Sequence, residues 1–295
     1  GVFWVLCARA FSPGVIGAPT TGTSARTLGA SVAVSGFVPM LTRLLPGADT
    51  EERSGLCSTA FVVTTLVSAV AGVAAALLMP ARVQAAVGTG WLVALLGAGT
   101  VGTALLLVVS AALLGVRRAE LSLYGNVMGS VARLGAVGAF LAIGVLVAGA
   151  DTNATHTILI VWVVSLAMSV VLSIWLLIRA TPGFRFHPHR IWISRMRRSI
   201  GWDHVAMIAV RAPPLTIPIL AAAHFPPAKI GYLAVVTMVI SVFSAVAAAV
   251  SNALLAHCAD DPQQLRTQAR RAFRLIGVLL VVPVLLTCLF AKEVL

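Results

Sequence analysis

The stretch 91–114, WLVALLGAGTVGTALLLVVSAALL, runs for 24 residues without a charge, and GVRR at 115–118 closes it. A helix needs about 20 apolar residues to cross the hydrocarbon core of a bilayer. The run is continuous and rich in Ala, Val and Leu. A transmembrane β-strand would instead alternate apolar and polar residues over about ten positions. The stretch therefore predicts a membrane-spanning helix, and the rest of the chain repeats the pattern.

Seven further apolar segments are predicted at 17–42, 56–79, 127–148, 157–178, 200–223, 230–256 and 274–291. Residues 1–10 read as the end of a truncated helix, and both ends of the sequence look cut. The breaks between segments carry the Pro, Gly, Asn and Asp of turns, as in LLPGADTEERSG and AGADTNATH. The expected fold is an all-α polytopic membrane protein of about eight full helices and an N-terminal stub.

Composition agrees with this. Of 295 residues, 59% are hydrophobic and 10% charged, and mean hydropathy is +1.01. A soluble fold could not cover that much apolar surface. The same figures exclude a disordered chain and a nucleic-acid-binding domain, despite a net charge of +12.

The basic residues fall on one side instead. Alternate loops carry fourteen Lys and Arg, from Arg43 to Arg274, against four on the other set, Arg9, Arg82, Lys229 and Lys292. The positive-inside rule places the fourteen, including the link 179–199, in the cytoplasm. That link divides the chain into residues 1–178, with the stub and five helices, and residues 200–295, with three helices; the resemblance given below implies that these are a first lobe and part of a second.

No enzyme motif is present: no phosphate-binding Gly-rich loop, no H-E-x-x-H and no G-x-S-x-G. Cys7, Cys57, Cys258 and Cys288 lie far apart and read as small apolar residues. His187 and His189 flank Pro188 in a basic loop without an acidic or Cys partner, so no metal and no cofactor is expected. N-A-T at 153–155 matches a glycosylation pattern in a short loop and carries little weight.

What remains is charge inside the membrane. Each buried ionisable group costs about 2.5–3.5 kcal/mol on insertion scales, so such groups should face a cavity or a partner. Arg211 stands in the middle of 200–223, followed by Pro213, Pro214 and Pro218, which predict a broken helix. Arginine beside a broken helix suits an anionic group such as a phosphate; the plainer reading is an ion pair with Asp203. Arg26 lies among small and hydroxylated residues in PTTGTSARTLGAS, either on a polar helix face or at the outer interface if the helix begins near Thr27. Arg133 is a third candidate for lining a substrate cavity; the plainer reading puts it a few residues inside the cytoplasmic boundary, where it can snorkel. Asp203 and His204 form a candidate proton-coupling pair. Gly125 and Gly129, around Asn126, have the spacing of close helix packing.

The junctions ARAFSPGVIGAP (8–19), GFVPMLTRLLPG (36–47), RRAELSLYGNVMGSVARL (117–134) and RSIGWDHVAMIAVRAPPLTIPILAAAHFPPAKIGYLAVV (198–236) resemble polysaccharide exporters. These are the O-antigen and lipid-linked oligosaccharide flippases of the multidrug/oligosaccharidyl-lipid/polysaccharide superfamily. Arg-Leu-Leu-Pro at 43–46 is the clearest piece of the resemblance. It implies two lobes rocking about a cationic cavity in a bacterial cytoplasmic membrane, with Arg26 and Arg211 contributing one cation per lobe. The implied substrate is a lipid-linked saccharide, and the expected partners are polysaccharide assembly proteins. The rival readings are a cation-coupled multidrug antiporter of the same superfamily, and a membrane-embedded glycosyltransferase or polymerase.

Overall fold

The computed structural model describes residues 13–146, 151–226 and 229–233, with scattered residues outside these ranges. Eight α-helices follow one another there. They are α1 (Pro13–Val34), α2 (Phe37–Leu44), α3 (Thr50–Leu77), α4 (Ala81–Val87), α5 (Thr89–Gly115), α6 (Ala119–Leu146), α7 (Asp151–Ala180) and α8 (Arg190–His224). No strand occurs among the described residues.

Four helical stretches are long and apolar enough to cross a membrane: Thr50–Leu77, Thr89–Gly115, Thr155–Ala180 and His204–His224. The pair Val15–Val34 and Phe37–Gly47, bent by 45°, makes a fifth if counted as one span. The eight full spans expected from sequence thus stand at four or five here. The segments 230–256 and 274–291 and the stub 1–10 lie essentially outside the described residues.

By internal contacts the chain forms two units, one from Val2 to Gly231 and one comprising Tyr232–Leu295 with Gly1. The first is described below. In it α5 is central, packing against α1, α3 and α7, while α6 lies on α7 and α8 lies along α1. Its largest apolar cluster joins Met40, Leu41, Leu56, Val108, Val109 and Leu177.

Local chemistry sets the boundaries. Asp49 caps α3, its carboxylate accepting the Glu52 N–H at 2.8 Å, and Glu51 and Glu52 favour the positive end of that helix. Between α4 and α5, Gly88 adopts φ +84°, a conformation that favours glycine. Arg117 takes the same left-handed region at φ +60° where α5 gives way to α6.

Three boundaries depart from the sequence reading. α6 begins at Ala119, not near 127, because LSLY at 121–124 continues the helix. The link 179–199 is non-helical only at 181–189, since α8 starts at Arg190. The broken helix expected at Arg211 is instead continuous. α8 runs through Pro213, Pro214 and Pro218. Each proline removes an N–H donor, but its fixed φ near −65° is helical, and the turns on either side hold the path.

Neighbouring helix ends gather at two poles. Gly115 at the end of α5 abuts Leu41 and Leu45, and Gly183 abuts Thr50. That pole carries Arg43, Arg53, Arg117, Arg118, Arg179 and Arg185. At the other pole Thr155 donates to the Val15 carbonyl at 3.4 Å, and His156 Nε2 lies 2.8 Å from the Val87 carbonyl.

Candidate functional site

Arg26 lies 13 residues into α1 and Arg133 lies 14 residues into α6. At 1.5 Å per residue each is about 20 Å from its helix start. α1 begins at Pro13 and α6 at Ala119, so neither helix starts near 27 or 127 as the alternative readings of Arg26 and Arg133 supposed.

Both guanidinium groups converge on the indole of Trp162 in α7. The Arg26 Cζ is 4.8 Å from the ring centroid and the Arg133 Cζ 3.9 Å. Phe3 meets the same indole edge-on, with centroids 5.1 Å apart. Arg133 Nε donates to Ser165 Oγ at 3.1 Å, and Ser165 Oγ donates to the Trp162 carbonyl at 2.9 Å. Trp162 and Ser165 are three residues apart, so one face of α7 supplies both contacts.

Arg26 is only 5% exposed, and its Nε has no hydrogen-bond partner. Among the described residues neither arginine meets a carboxylate. Cations over an indole gain about 2 kcal/mol or more when desolvated. That offsets part of the burial cost but leaves the Nε donor of Arg26 unsatisfied. Two neighbouring cations, one of them buried with a spare donor, suit a divalent oxyanion such as a phosphate.

The helices meet closely around the site. A β-carbon on Gly99 of α5 would lie 2.5 Å from Arg26 Cδ. On the α6–α7 seam, β-carbons on Gly125 and Gly129 would fall on the hydroxyls of Ser173 and Ser169. The close packing expected from G-x-x-x-G is therefore present. Ser169 donates to the Ser165 carbonyl at 2.9 Å, while Ser173 Oγ is buried without a partner.

The other sequence candidates stand elsewhere. Arg211 is half-buried on α8, and no described contact joins it to Arg26, Arg133 or Trp162. His204 is half-buried with Nδ1 unpartnered. The Asp203 side chain lies outside the described residues. The His187 and His189 rings stack at 6.1 Å on the exposed loop. A cavity of about 50 Å³ near the opposite pole is lined by Thr21, Arg82, Thr155 and Phe225, among others.

Sequence reading missed Trp162, Ser165 and Gly99. A signal for the first two exists: Trp162, Ser165, Ser169 and Ser173 recur at helical spacing on an otherwise apolar segment. Gly99 carries no such signal, since its role depends on which helix lies opposite.

Comparison with models of protein families, with curated proteins and with solved structures gives no match.

Proposed function

We propose that this chain belongs to an exporter that flips a lipid-linked saccharide across a bacterial cytoplasmic membrane by alternating access. The observation that carries the reading is the convergence of Arg26 and Arg133 on Trp162 without a carboxylate partner. A pyrophosphate-linked carrier lipid needs such a cationic, partly dehydrated site to bring its headgroup through the membrane. The arginines bind and orient the phosphate, and no covalent step is required, so the reading is of a transporter and not an enzyme.

In this proposal residues 1–178 form one lobe, and the link 179–199 leads to a second that begins at 200. The basic pole faces the cytoplasm, as the positive-inside rule directs. Arg211, half-buried on α8, is the cation offered by the second lobe. Asp203 and His204 remain the candidate coupling pair.

The antiporter rival calls for carboxylate at membrane depth. Asp203 is the sole acidic residue inside an apolar segment, whereas the best-defined charges inside the helix packing are the buried Arg26 and the half-buried Arg133. The same pair gives a polymerase or glycosyltransferase no acid or base.

Depletion of the gene in its host, followed by an assay of lipid-linked saccharide by leaflet, tests the proposal. Substrate should accumulate on the cytoplasmic leaflet and surface polysaccharide should fall. Arg26→Ala and Arg133→Ala should each reduce export while inserting normally. Normal export by both variants overturns the site, and unchanged lipid-linked saccharide on depletion overturns the function.

A further inference from the structure

α6 has three distinct faces. Gly125 and Gly129 form the seam with α7. Tyr124, Met128 and Val131 form an exposed apolar face, being 62%, 52% and 56% accessible. Ser122, Asn126, Ser130 and Arg133, at helical spacings of four, four and three, form a polar stripe next to the seam. Asn126 and Ser130 are exposed, and Ser122 and Arg133 are half-buried.

A lipid-embedded helix needs one apolar face for the hydrocarbon, and α6 already has one. Asn126 donates its amide to the Ser122 carbonyl and Ser130 its hydroxyl to the Asn126 carbonyl, each at 2.9 Å. Both residues nonetheless stay exposed, and in a helix that the proposed function sets in the bilayer an exposed Asn belongs against protein or water. The stripe is also directional. It starts beside Arg117 and Arg118 at the basic pole and ends at Arg133, over the indole that holds Arg26. The carboxylate at its foot, Glu120, is met by Arg118 at 3.5 Å. The stripe thus joins two cationic positions through neutral polar groups. The unpartnered Nε of the nine-tenths-buried Arg26 marks its inner end as short of a ligand.

We infer that the Ser122–Asn126–Ser130 face of α6 is a hydrated track along which the phosphate headgroup of a membrane-embedded amphiphile moves between the basic pole and the Arg26–Arg133 site. The inference rests on the phosphate reading of that site and adds the route to it. The amphiphile's tail stays in the bilayer beside the apolar face while its headgroup follows the stripe.

The test is cysteine accessibility in the full chain, reconstituted into phosphatidylcholine vesicles with and without a polyprenyl phosphate. The four native cysteines are first replaced by alanine. Asn126→Cys and Ser130→Cys should react with an anionic, water-soluble thiosulfonate about tenfold or more faster than Met128→Cys and Val131→Cys, as expected of a hydrated face focused by positive charge. The polyprenyl phosphate should protect positions 126 and 130, and inorganic pyrophosphate in its place should protect them less. Equal rates on the two faces overturn the track. Protection by pyrophosphate alone overturns the lipid headgroup as its occupant.

A third arm separates the track from the site. In the Arg26→Ala, Arg133→Ala background the facial difference should persist while the preference for an anionic over a cationic reagent disappears. A preference that survives overturns the phosphate site, and a facial difference that vanishes overturns the track.

Discussion

Arg26 lies across Gly99 so closely that a β-carbon there would stand 2.5 Å from Arg26 Cδ. The glycine of one helix therefore sets where the cation of another can rest. In Gly99→Ala the flexible arginine stem moves, not the backbone, and Arg26 leaves Trp162. Overpacking of this kind costs about 1–3 kcal/mol. Export should fall as it does in Arg26→Ala. In a double-mutant cycle by thermal unfolding, the cost of Gly99→Ala should nearly vanish once residue 26 is Ala. An undiminished cost would mean that Gly99 serves packing unrelated to the arginine.

Trp162 holds two cations, so its replacements should grade. Trp162→Phe keeps a ring face with a weaker quadrupole and should cost about 1 kcal/mol. Trp162→Ala leaves a cavity and two unsupported cations and should cost about 3–5 kcal/mol. Arg133→Lys keeps the charge but loses the planar fork and the Nε donor to Ser165. It should insert normally and bind phosphate more weakly. Thermal unfolding with and without added pyrophosphate reads all three, and a Lys variant stabilised as much as the parent would remove the fork from the argument.

The helices were legible because apolar runs of this length have few other uses, and the small-residue spacing at Gly125 and Gly129 correctly pointed to a close seam. Boundaries were less legible. Arg190 begins a helix inside what reads as a polar link, since charge alone does not distinguish a solvated helix turn from a loop. Three prolines argued for a break at Arg211, yet local propensity yielded to the continuity of α8. Arg26 was legible as a buried cation, but its partnership with Arg133 was not. The two are 107 positions apart in sequence, and only the packing of α1, α6 and α7 brings them to one indole.

The α6–α7 seam should fail at one position before another. A β-carbon at Gly129 falls on Ser169 Oγ, one turn from the Arg133–Ser165 bond. Gly129→Ala should part the helices there and cost about 1–3 kcal/mol. Adding Ser169→Ala should recover part of that loss by removing the clashing oxygen. Thermal unfolding checks the rescue, and its absence would place the strain elsewhere.

The loop after α7 is tied to α3 by a repeating pattern. Alternate backbone N–H groups of Arg185, His187 and His189 donate to Ser54 Oγ at 3.3 Å, Ser58 Oγ at 3.0 Å and Thr59 Oγ1 at 3.2 Å. An extended strap with period two thus meets a helix face of hydroxyls. Removing Oγ in Ser58→Ala leaves one part-buried N–H without its acceptor and should cost about 1 kcal/mol. The local effect should be larger: protease cleavage within 184–189 should accelerate several-fold in Ser58→Ala and more in Ser58→Ala with Ser54→Ala. Unchanged cleavage would mean that the strap is held by other contacts.

Arg117 ends α5 in the left-handed region at φ +60°. Its N–H donates to the Leu114 carbonyl at 3.0 Å, and the Arg118 N–H reaches back to the Leu113 carbonyl at 2.8 Å. Such a reversal is usually built with glycine, because a β-carbon in this conformation costs about 1–2 kcal/mol. Arg117→Gly should relieve that strain and raise the unfolding temperature. Part of the gain is lost to the greater freedom of glycine in the unfolded chain, leaving about 0.5–1 kcal/mol. Arg117→Ala should show no such gain, since it keeps the β-carbon. If Arg117→Gly and Arg117→Ala shift stability equally, the arginine's charge and not its backbone governs the turn.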